Sequence, residues 1–372
     1  MFSSGDPSTD RRIQRCHRDR DRIVACPAFR RLAGKTQVVC LPEDPLVRTR
    51  LTHTLEVSSI AREVGRGLGL VDPCIEAIAL GHDLGHPAFG HAGEKALSRL
   101  LPGGFRHALQ SVRVVTELEP DLQLGAEVVE GIRKHSKGRA GEVFVHDGSL
   151  GSLSREGQVV RAADLYAYAC HDLEDAFVLG LLSPGDVPRE ISLVLGSSPG
   201  GVRASLVAET IRSSLAKGDL SLAQPCEAAL EGLRALLYER FYESPGVARQ
   251  TERVERIIES LWQDAEQHPD VFYAALVPLC VGSVARAELA RDFVDAVAML
   301  TDRQALGLCK TLRSSRRCHG ATGRLVGPLR GAPAPYQDRR RRPLRHSRRL
   351  VLRCRRHDRS PSRARRPATP DG

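Results

Sequence analysis

From about Arg20 to Leu308, apolar residues recur at steps of three and four, and strand-like alternation is scarce. That period places one apolar residue per helical turn on a single face, so the chain is expected to be all-α. The pattern is clearest from Leu51 to Leu68, where His53, Val57, Ile60 and Val64 fall at i, i+4, i+7 and i+11. A second helix is expected from Pro73 to Gly85, with Ile75, Ile78, Ala79 and His82 in phase. Pro87 disfavours helical geometry at His86, so the chain should turn through residues 87–90 before a new helix begins near His91. Gly- and Ser-rich residues 141–158 read as a loop that leads into a long helix from about Val159 to Leu182. Residues 203–216, 226–243, 247–267 and 286–307 read as further amphipathic helices, and there is no internal repeat.

With 372 residues the chain can form one large domain or two ordinary ones. Its formal net charge of +10 suggests an anionic partner until the charge is located. Residues 309–372 hold 20 of the 55 Lys+Arg and 3 of the 45 Asp+Glu, which leaves 35 basic against 42 acidic residues in the rest. The helical part is therefore acidic, and the basicity belongs to the tail. The chain divides into a flexible lead-in at 1–18, a helical domain at 19–308, and an Arg- and Pro-rich tail at 309–372 that is expected to be disordered when free. The tail reads either as a polybasic arm that contacts nucleic acid or as the out-of-frame translation of a GC-rich gene. The pattern ARDFVDAVAMLTDRQAL stops without a cap or linker, which favours the second. Ten cysteines without a CxxC read as reduced thiols of a cytosolic protein. No signal-like segment and no apolar run of about 18 residues occurs, so a cytoplasmic location with no membrane partner is expected.

Chemistry concentrates in RTRLTHTLEV, ALGHDLGHPAFGHAGE and VVRAADLYAYACHDLEDA. His53, the adjacent His82 and Asp83, and Asp164 supply two imidazoles and two carboxylates from three helices. A borderline divalent ion such as Mn, Fe, Co, Ni or Zn suits that mixture, whereas Mg prefers oxygen alone. Singly, His53 reads as a hydrogen-bonded core histidine and Asp164 as a buried ion-pair partner. Together they are four inward polar groups on helices that otherwise bury Val, Ile, Leu and Ala. Uncompensated, that burial would cost several kcal/mol per group, and a metal removes the cost.

His91 and Glu94 lie at i and i+3, so the carboxylate can orient the imidazole, which could then supply a proton to a departing oxygen; a helix-start capping pair is the alternative. His86 either lines the site or ends its helix. Arg50, three residues before His53, is the first candidate for a phosphate contact, with Arg30, Arg31, Lys35, Arg113 and Lys134 behind it or else solvated. Asp164, Tyr168 and Asp172 form a polar stripe at i, i+4 and i+8, on which a metal ligand and sugar-recognition groups could share one ridge. Otherwise Tyr168 is core and Asp172 caps or pairs elsewhere.

The ordered series RDRDRIV, AFRRLAGKTQV, RTRLTHTLEV, GHDLGHPAFGHAGE, EGIRKHSK, QVVRAADLYAYACHDLEDA and LTDRQAL resembles the HD-domain superfamily, whose pattern is H…HD…D. Within it the series is similar to the bacterial dGTP triphosphohydrolase-like proteins over about residues 18–308. The resemblance implies an HD-domain helical bundle with additional C-terminal helices. It implies that His53, His82, Asp83 and Asp164 bind a divalent metal ion (Mn, Mg, Fe, Co, Ni or Zn), and that His91, Glu94 and His107 are catalytic. It also implies that Gln37 touches the deoxyribose, that Tyr168 and Asp172 recognise the sugar, and that the chain forms homo-oligomers. The implied reaction cleaves a deoxynucleoside triphosphate to a deoxynucleoside and inorganic triphosphate. Two departures bear on substrate preference: Leu165 stands where some relatives carry a phosphate-binding Lys, and FRHALQS, residues 105–111, replaces FEHNAQS. The rival expectations are another HD phosphohydrolase, either a nucleotidase or a signalling-nucleotide phosphodiesterase, and a non-enzymatic module that binds nucleic acid through the basic tail.

Overall fold

The computed structural model describes residues 7–42, 44–136, 143–144, 153–279 and 289–322, with side chains at the ends of the last stretch limited to 291–315. Most of the 141–158 loop and the tail beyond 322 lie outside the described residues. Among the described residues the fold is entirely helical apart from one isolated bridge between Thr36 and Thr49. The helices are α1 (Pro7–Ala25), α2 (Pro27–Arg31), α3 (Arg50–Gly67), α4 (Asp72–Gly81), α5 (Gly90–Leu100), α6 (His107–Arg113), α7 (Ala126–Lys134) and α8 (Arg155–Val178). They continue as α9 (Arg189–Leu195), α10 (Pro199–Lys217), α11 (Gln224–Leu237), α12 (Pro245–Gln267), α13 (Pro269–Leu276), α14 (Leu289–Met299) and α15 (Asp302–Thr322).

The all-α expectation holds, and its long periodic helices stand near where the periodicity puts them. α3 begins one residue early, at Arg50, because Thr49 and Thr52 close a capping box there. α8 begins at Arg155 because the Ser154 hydroxyl caps the Gly157 amide. Several boundaries differ. Residues 7–18, expected to be a flexible lead-in, form the first turns of α1, which buries Cys16, Asp19 and Ile23. The expected helix 73–85 ends at Gly81: Ser111 Oγ donates to the His82 carbonyl at 2.7 Å, so that oxygen is taken from outside the helix. The expected helix 286–307 is two helices, because Thr301 and Gln304 form a reciprocal cap that starts α15. α15 then runs on to Thr322, past the boundary at 309.

Two apolar clusters organise these helices. In the first, α3 packs on α8 and α4, with α1 along α4 and α10 against α8. Val57, Ile60, Ile75, Ile78, Val160 and Tyr166 are fully buried there. In the second, α5 packs on α12, and Leu97, Ile258, Leu261, Phe272, Phe293 and Val297 are buried. Each such side chain contributes roughly 1.5–3 kcal/mol of transfer free energy. The segment from His82 to His91 runs from one cluster to the other, with Leu84 in the first and Ala88 and Phe89 in the second.

The expectation of ten reduced thiols is corrected at one pair. Cys16 of α1 and Cys74 of α4 form a disulfide, with Cα atoms 4.9 Å apart. The side-by-side packing of α1 and α4 brings the two sulfurs into one buried layer. Cys26, Cys40, Cys170, Cys226 and Cys309 are free thiols. No single described helix is long and apolar enough to cross a membrane.

Candidate metal centre and the site around it

The four expected metal ligands converge. His53 on α3 places Nε2 3.1 Å from Asp164 Oδ1 on α8. His82 Nε2 lies 3.4 Å from Asp83 Oδ1 and 3.7 Å from Asp164 Oδ1. The tautomer of His82 follows from its surroundings: Nδ1 lies 2.6 Å from the Ala79 carbonyl and must donate to it. In the neutral ring Nε2 carries the lone pair, and that buried nitrogen has no hydrogen-bond partner among the described residues. An imidazole fixed from behind with its free nitrogen aimed at two carboxylates is the usual preparation of a metal ligand. The residues thus fit a divalent ion held by two nitrogens and two carboxylates.

Arg50 prepares Asp83 from the other side. Its fully buried guanidinium donates from Nη1 to Asp83 Oδ2 at 2.5 Å, from Nε to the Thr36 carbonyl at 3.0 Å, and from Nη2 to the Gln37 carbonyl at 3.4 Å. Oδ2 is thereby occupied and Oδ1 is left facing the imidazoles. Burial alone would raise the Asp83 pKa, but His82, Arg50 and His107 hold it well below the usual carboxylate range. Asp164 falls to about 2 because His53 and His82 outweigh its burial.

Beyond Asp83 lies a second group of histidines. Glu94 on α5 accepts from the His107 backbone amide at 2.9 Å and from His107 Nδ1 at 3.0 Å, and it lies 3.4 Å from His91 Nδ1. Burial opposes the charge on His107, yet the bonds from Glu94 raise its pKa, and the Glu94 carboxyl is held far below its ordinary value. His91 Nε2 stands 2.7 Å from the Tyr168 hydroxyl, and 47% of the His91 side chain is exposed. His86 lines the site: it stacks on His107 with centroids 4.0 Å apart, and neither ring nitrogen has a hydrogen-bond partner. Burial keeps it neutral.

The sugar candidates form another wall. The Tyr168 ring lies 5.1 Å from that of His53. Asp172 accepts from the Tyr242 hydroxyl at 2.5 Å, while its Oδ1 is buried and unpartnered, and burial pushes the carboxyl up to about 8. Gln37 is fully buried with both amide atoms unpartnered.

A family model described as the HD domain matches residues 50–169, and one described as the phosphohydrolase-associated domain matches residues 220–311. A deoxyguanosinetriphosphate triphosphohydrolase-like protein of Caldanaerobacter subterraneus subsp. tengcongensis is 42% identical over 295 residues, spanning 78% of this chain and 82% of its own length. Proteins of the same description from Desulfatibacillum aliphaticivorans and Roseobacter denitrificans are 38% and 34% identical, spanning 78% and 82% of this chain and 84% and 91% of their own lengths. The chain belongs to the deoxyguanosinetriphosphate triphosphohydrolase-like family of HD-domain proteins. It is therefore an HD-domain phosphohydrolase in class, and its histidine and aspartate clusters could hold the divalent metal that HD domains bind.

The cations expected as phosphate contacts have partners within the protein. Arg50 is committed to Asp83. Lys35 is buried, with Nζ donating to the His86 and Ala298 carbonyls at 2.6 Å each, and burial lowers its pKa to about 7. Arg113 pairs with Asp295 and Glu117, Lys134 with Glu130, and Arg31 lies 3.7 Å from Glu119. Arg30 is exposed and donates to the Ala25 carbonyl. The Arg50–Asp83, Arg113–Asp295 and Arg31–Glu119 contacts are tertiary, whereas Arg113–Glu117 and Lys134–Glu130 are i, i+4 neighbours. Sequence reasoning missed His135, whose Nε2 lies 3.0 Å from that of His107; EGIRKHSK belongs to the motif series, but a histidine at a helix end carries no period. It also missed Tyr242 and Asp302.

Proposed function

We propose that the chain hydrolyses deoxynucleoside triphosphates to deoxynucleoside and inorganic triphosphate, using one divalent ion held by His53, His82, Asp83 and Asp164. The observation that carries this reading is a pair of buried polar groups with no partner among the described residues, the Gln37 amide and Asp172 Oδ1. The first adjoins the residue whose carbonyl Arg50 holds, and the second is on the helix that carries Asp164. Leaving such groups without partners costs on the order of 1–3 kcal/mol each, a cost that ligand hydroxyls would remove. They are two of the three residues, with Tyr168, that the family resemblance associates with the sugar, and the relatives' shared description supports a nucleoside triphosphate.

A divalent cation bound there supplies Lewis-acid polarisation of a phosphoryl group. The remaining work falls to side chains. Burial lowers the His91 pKa, and Glu94 beside Nδ1 opposes it. The imidazolium that Glu94 favours would pass its Nε2 proton from the Tyr168 hydroxyl contact to the departing 5′ oxygen and be left neutral. The His107 imidazolium, balanced by Glu94, would place its positive charge beside the phosphoryl group, and the neutral His86, facing Asp83, would donate to a phosphoryl oxygen. Gln37 and Asp172 would hold the sugar hydroxyl, with Tyr168 packed beside the ring.

Incubation of the purified protein with Mn and each of the four dNTPs, followed by product separation, tests the reading. Deoxynucleoside plus triphosphate is expected. Deoxynucleoside monophosphate plus pyrophosphate, or turnover of monophosphates or cyclic dinucleotides alone, would overturn it.

A further inference from the structure

The segment that delivers His91 has a backbone that side chains disfavour. Phe89 has φ +66° and Gly90 has φ +54°, two left-handed residues in succession. Gly90 has no alternative, since a Cβ there would lie 2.5 Å from the Thr36 carbonyl oxygen. Phe89 is a bulky residue in the same region, buried in the second apolar cluster, and its conformation needs an external hold.

That hold comes from the first residue of α15. Asp302 Oδ1 accepts from the Phe89 amide at 2.7 Å, and Oδ2 accepts from the Thr36 amide at 3.0 Å and from the Thr36 hydroxyl. The carboxylate is 2% exposed. One buried group thus joins the residue two before His91 to the residue one before Gln37. Neighbouring bonds reinforce the seam: the Ala88 amide donates to the Val297 carbonyl at 3.1 Å, and Lys35 bridges the His86 and Ala298 carbonyls. α14 and α15 therefore clasp the turn that carries His86 and His91.

We propose that Asp302 is a positioning residue for the reaction: it sets the His91 segment and the Gln37 segment in register, and makes the C-terminal helices part of the active site. The inference rests on the roles given above to His91 and Gln37. Its chemistry is specific to a carboxylate. All three neighbours are donors, so an amide of the same shape would turn an NH2 group against an N–H or O–H and release one side of the seam.

The plainer role of an Asp at this position is to favour the N-terminus of α15, and two comparisons separate the two. Asp302→Asn and Gln304→Ala are made in the full chain and loaded with Mn; the second removes the cap of α15 without touching Thr36 or Phe89. Rates are measured on dGTP, whose alkoxide leaving group needs a proton, and on bis(4-nitrophenyl) phosphate, whose leaving group does not. Asp302→Asn is expected to keep its metal content, lose at least tenfold in kcat and raise KM at least threefold on dGTP, and stay within threefold of wild type on the aryl ester. Gln304→Ala is expected to melt lower while both rates stay within twofold. In a His91→Ala background Asp302→Asn should add less than threefold to the loss in kcat.

Equal losses on both substrates, a matching loss in Gln304→Ala, or full additivity with His91→Ala would overturn the proposal. If the wild-type protein spares dGTP, the substrate reading fails by itself. A crystal structure of Asp302→Asn then decides: displacement of residues 89–91 supports the positioning role, and an unmoved segment with Phe89 still left-handed refutes it.

Discussion

His107 Nε2 and His135 Nε2 face each other at 3.0 Å, and each ring is fixed from behind, His107 Nδ1 by Glu94 and His135 Nδ1 by the Ile132 carbonyl at 2.7 Å. The His135 Nδ1 must be the donor to a carbonyl, so its Nε2 is an acceptor and the proton between the rings belongs to His107. With a carboxylate on its other nitrogen, His107 is an imidazolium. Its Nε2 also lies 3.9 Å from Asp83 Oδ1, which places the positive charge beside the metal donors.

Removing the acceptor should therefore be costly. His135→Ala is expected to lose about 1–3 kcal/mol of stability, the penalty for a buried donor without a partner, and roughly tenfold in kcat, with His135→Gln recovering part of both. Thermal unfolding and steady-state kinetics check it. A silent His135→Ala would remove His135 from the site.

The Arg50–Asp83 pair separates loss of metal from loss of fold. Asp83→Ala leaves a fully buried guanidinium without its carboxylate, so a stability loss of about 3–5 kcal/mol is expected, together with loss of the metal. Asp164→Asn should also release the metal, but at a smaller cost in stability, because no arginine among the described residues pairs with Asp164. Metal analysis alongside melting curves distinguishes the two, and unchanged metal content in both variants would undo the ligand assignment.

How much of this was legible depends on range. α3 and α8 are long and periodic, and a stripe such as His53, Val57, Ile60, Val64 specifies its face without help from elsewhere. The apolar period runs on through His82 and Asp83, and the hydroxyl that claims the His82 carbonyl sits on Ser111, outside that period. α1 was read as flexible because its polar composition hides a narrow buried face. The partners of the cations were hidden for a related reason: Arg50 and Arg113 pair with carboxylates brought to them by the tertiary fold. Asp302 and Thr36 are 266 residues apart, and although both fall inside motifs of the series, LTDRQAL and AFRRLAGKTQV, no spacing joins them.

The Cys16–Cys74 disulfide closes a loop with a sequence separation of 58, for which chain-entropy arguments give about 2–5 kcal/mol. Reduction, or Cys16→Ser, should lower the melting temperature accordingly while metal content and kcat at 25 °C stay unchanged. Thiol counting by mass spectrometry before and after a dithiol reductant should register two additional thiols. Coincident melting curves for the two forms would mean that the bridge contributes nothing to stability.

Asp172 gives a pH dependence with a definite sign. Burial raises its pKa to about 8, and the Tyr242 hydroxyl opposes the rise. Between the ordinary carboxylate pKa and that value the native carboxyl holds a proton that the unfolded chain has released. Its contribution is therefore fully present at low pH and is lost as pH climbs towards 8. Asp172→Asn cannot ionise, so it should resemble wild type near pH 4 and gain on it progressively up to pH 8, by on the order of a few kcal/mol. Tyr242→Phe removes the group that opposes the rise, so the same loss should shift to higher pH. Denaturant unfolding of the three proteins across this range is the measurement. Parallel stability curves for wild type and Asp172→Asn would show that the carboxyl is ionised throughout.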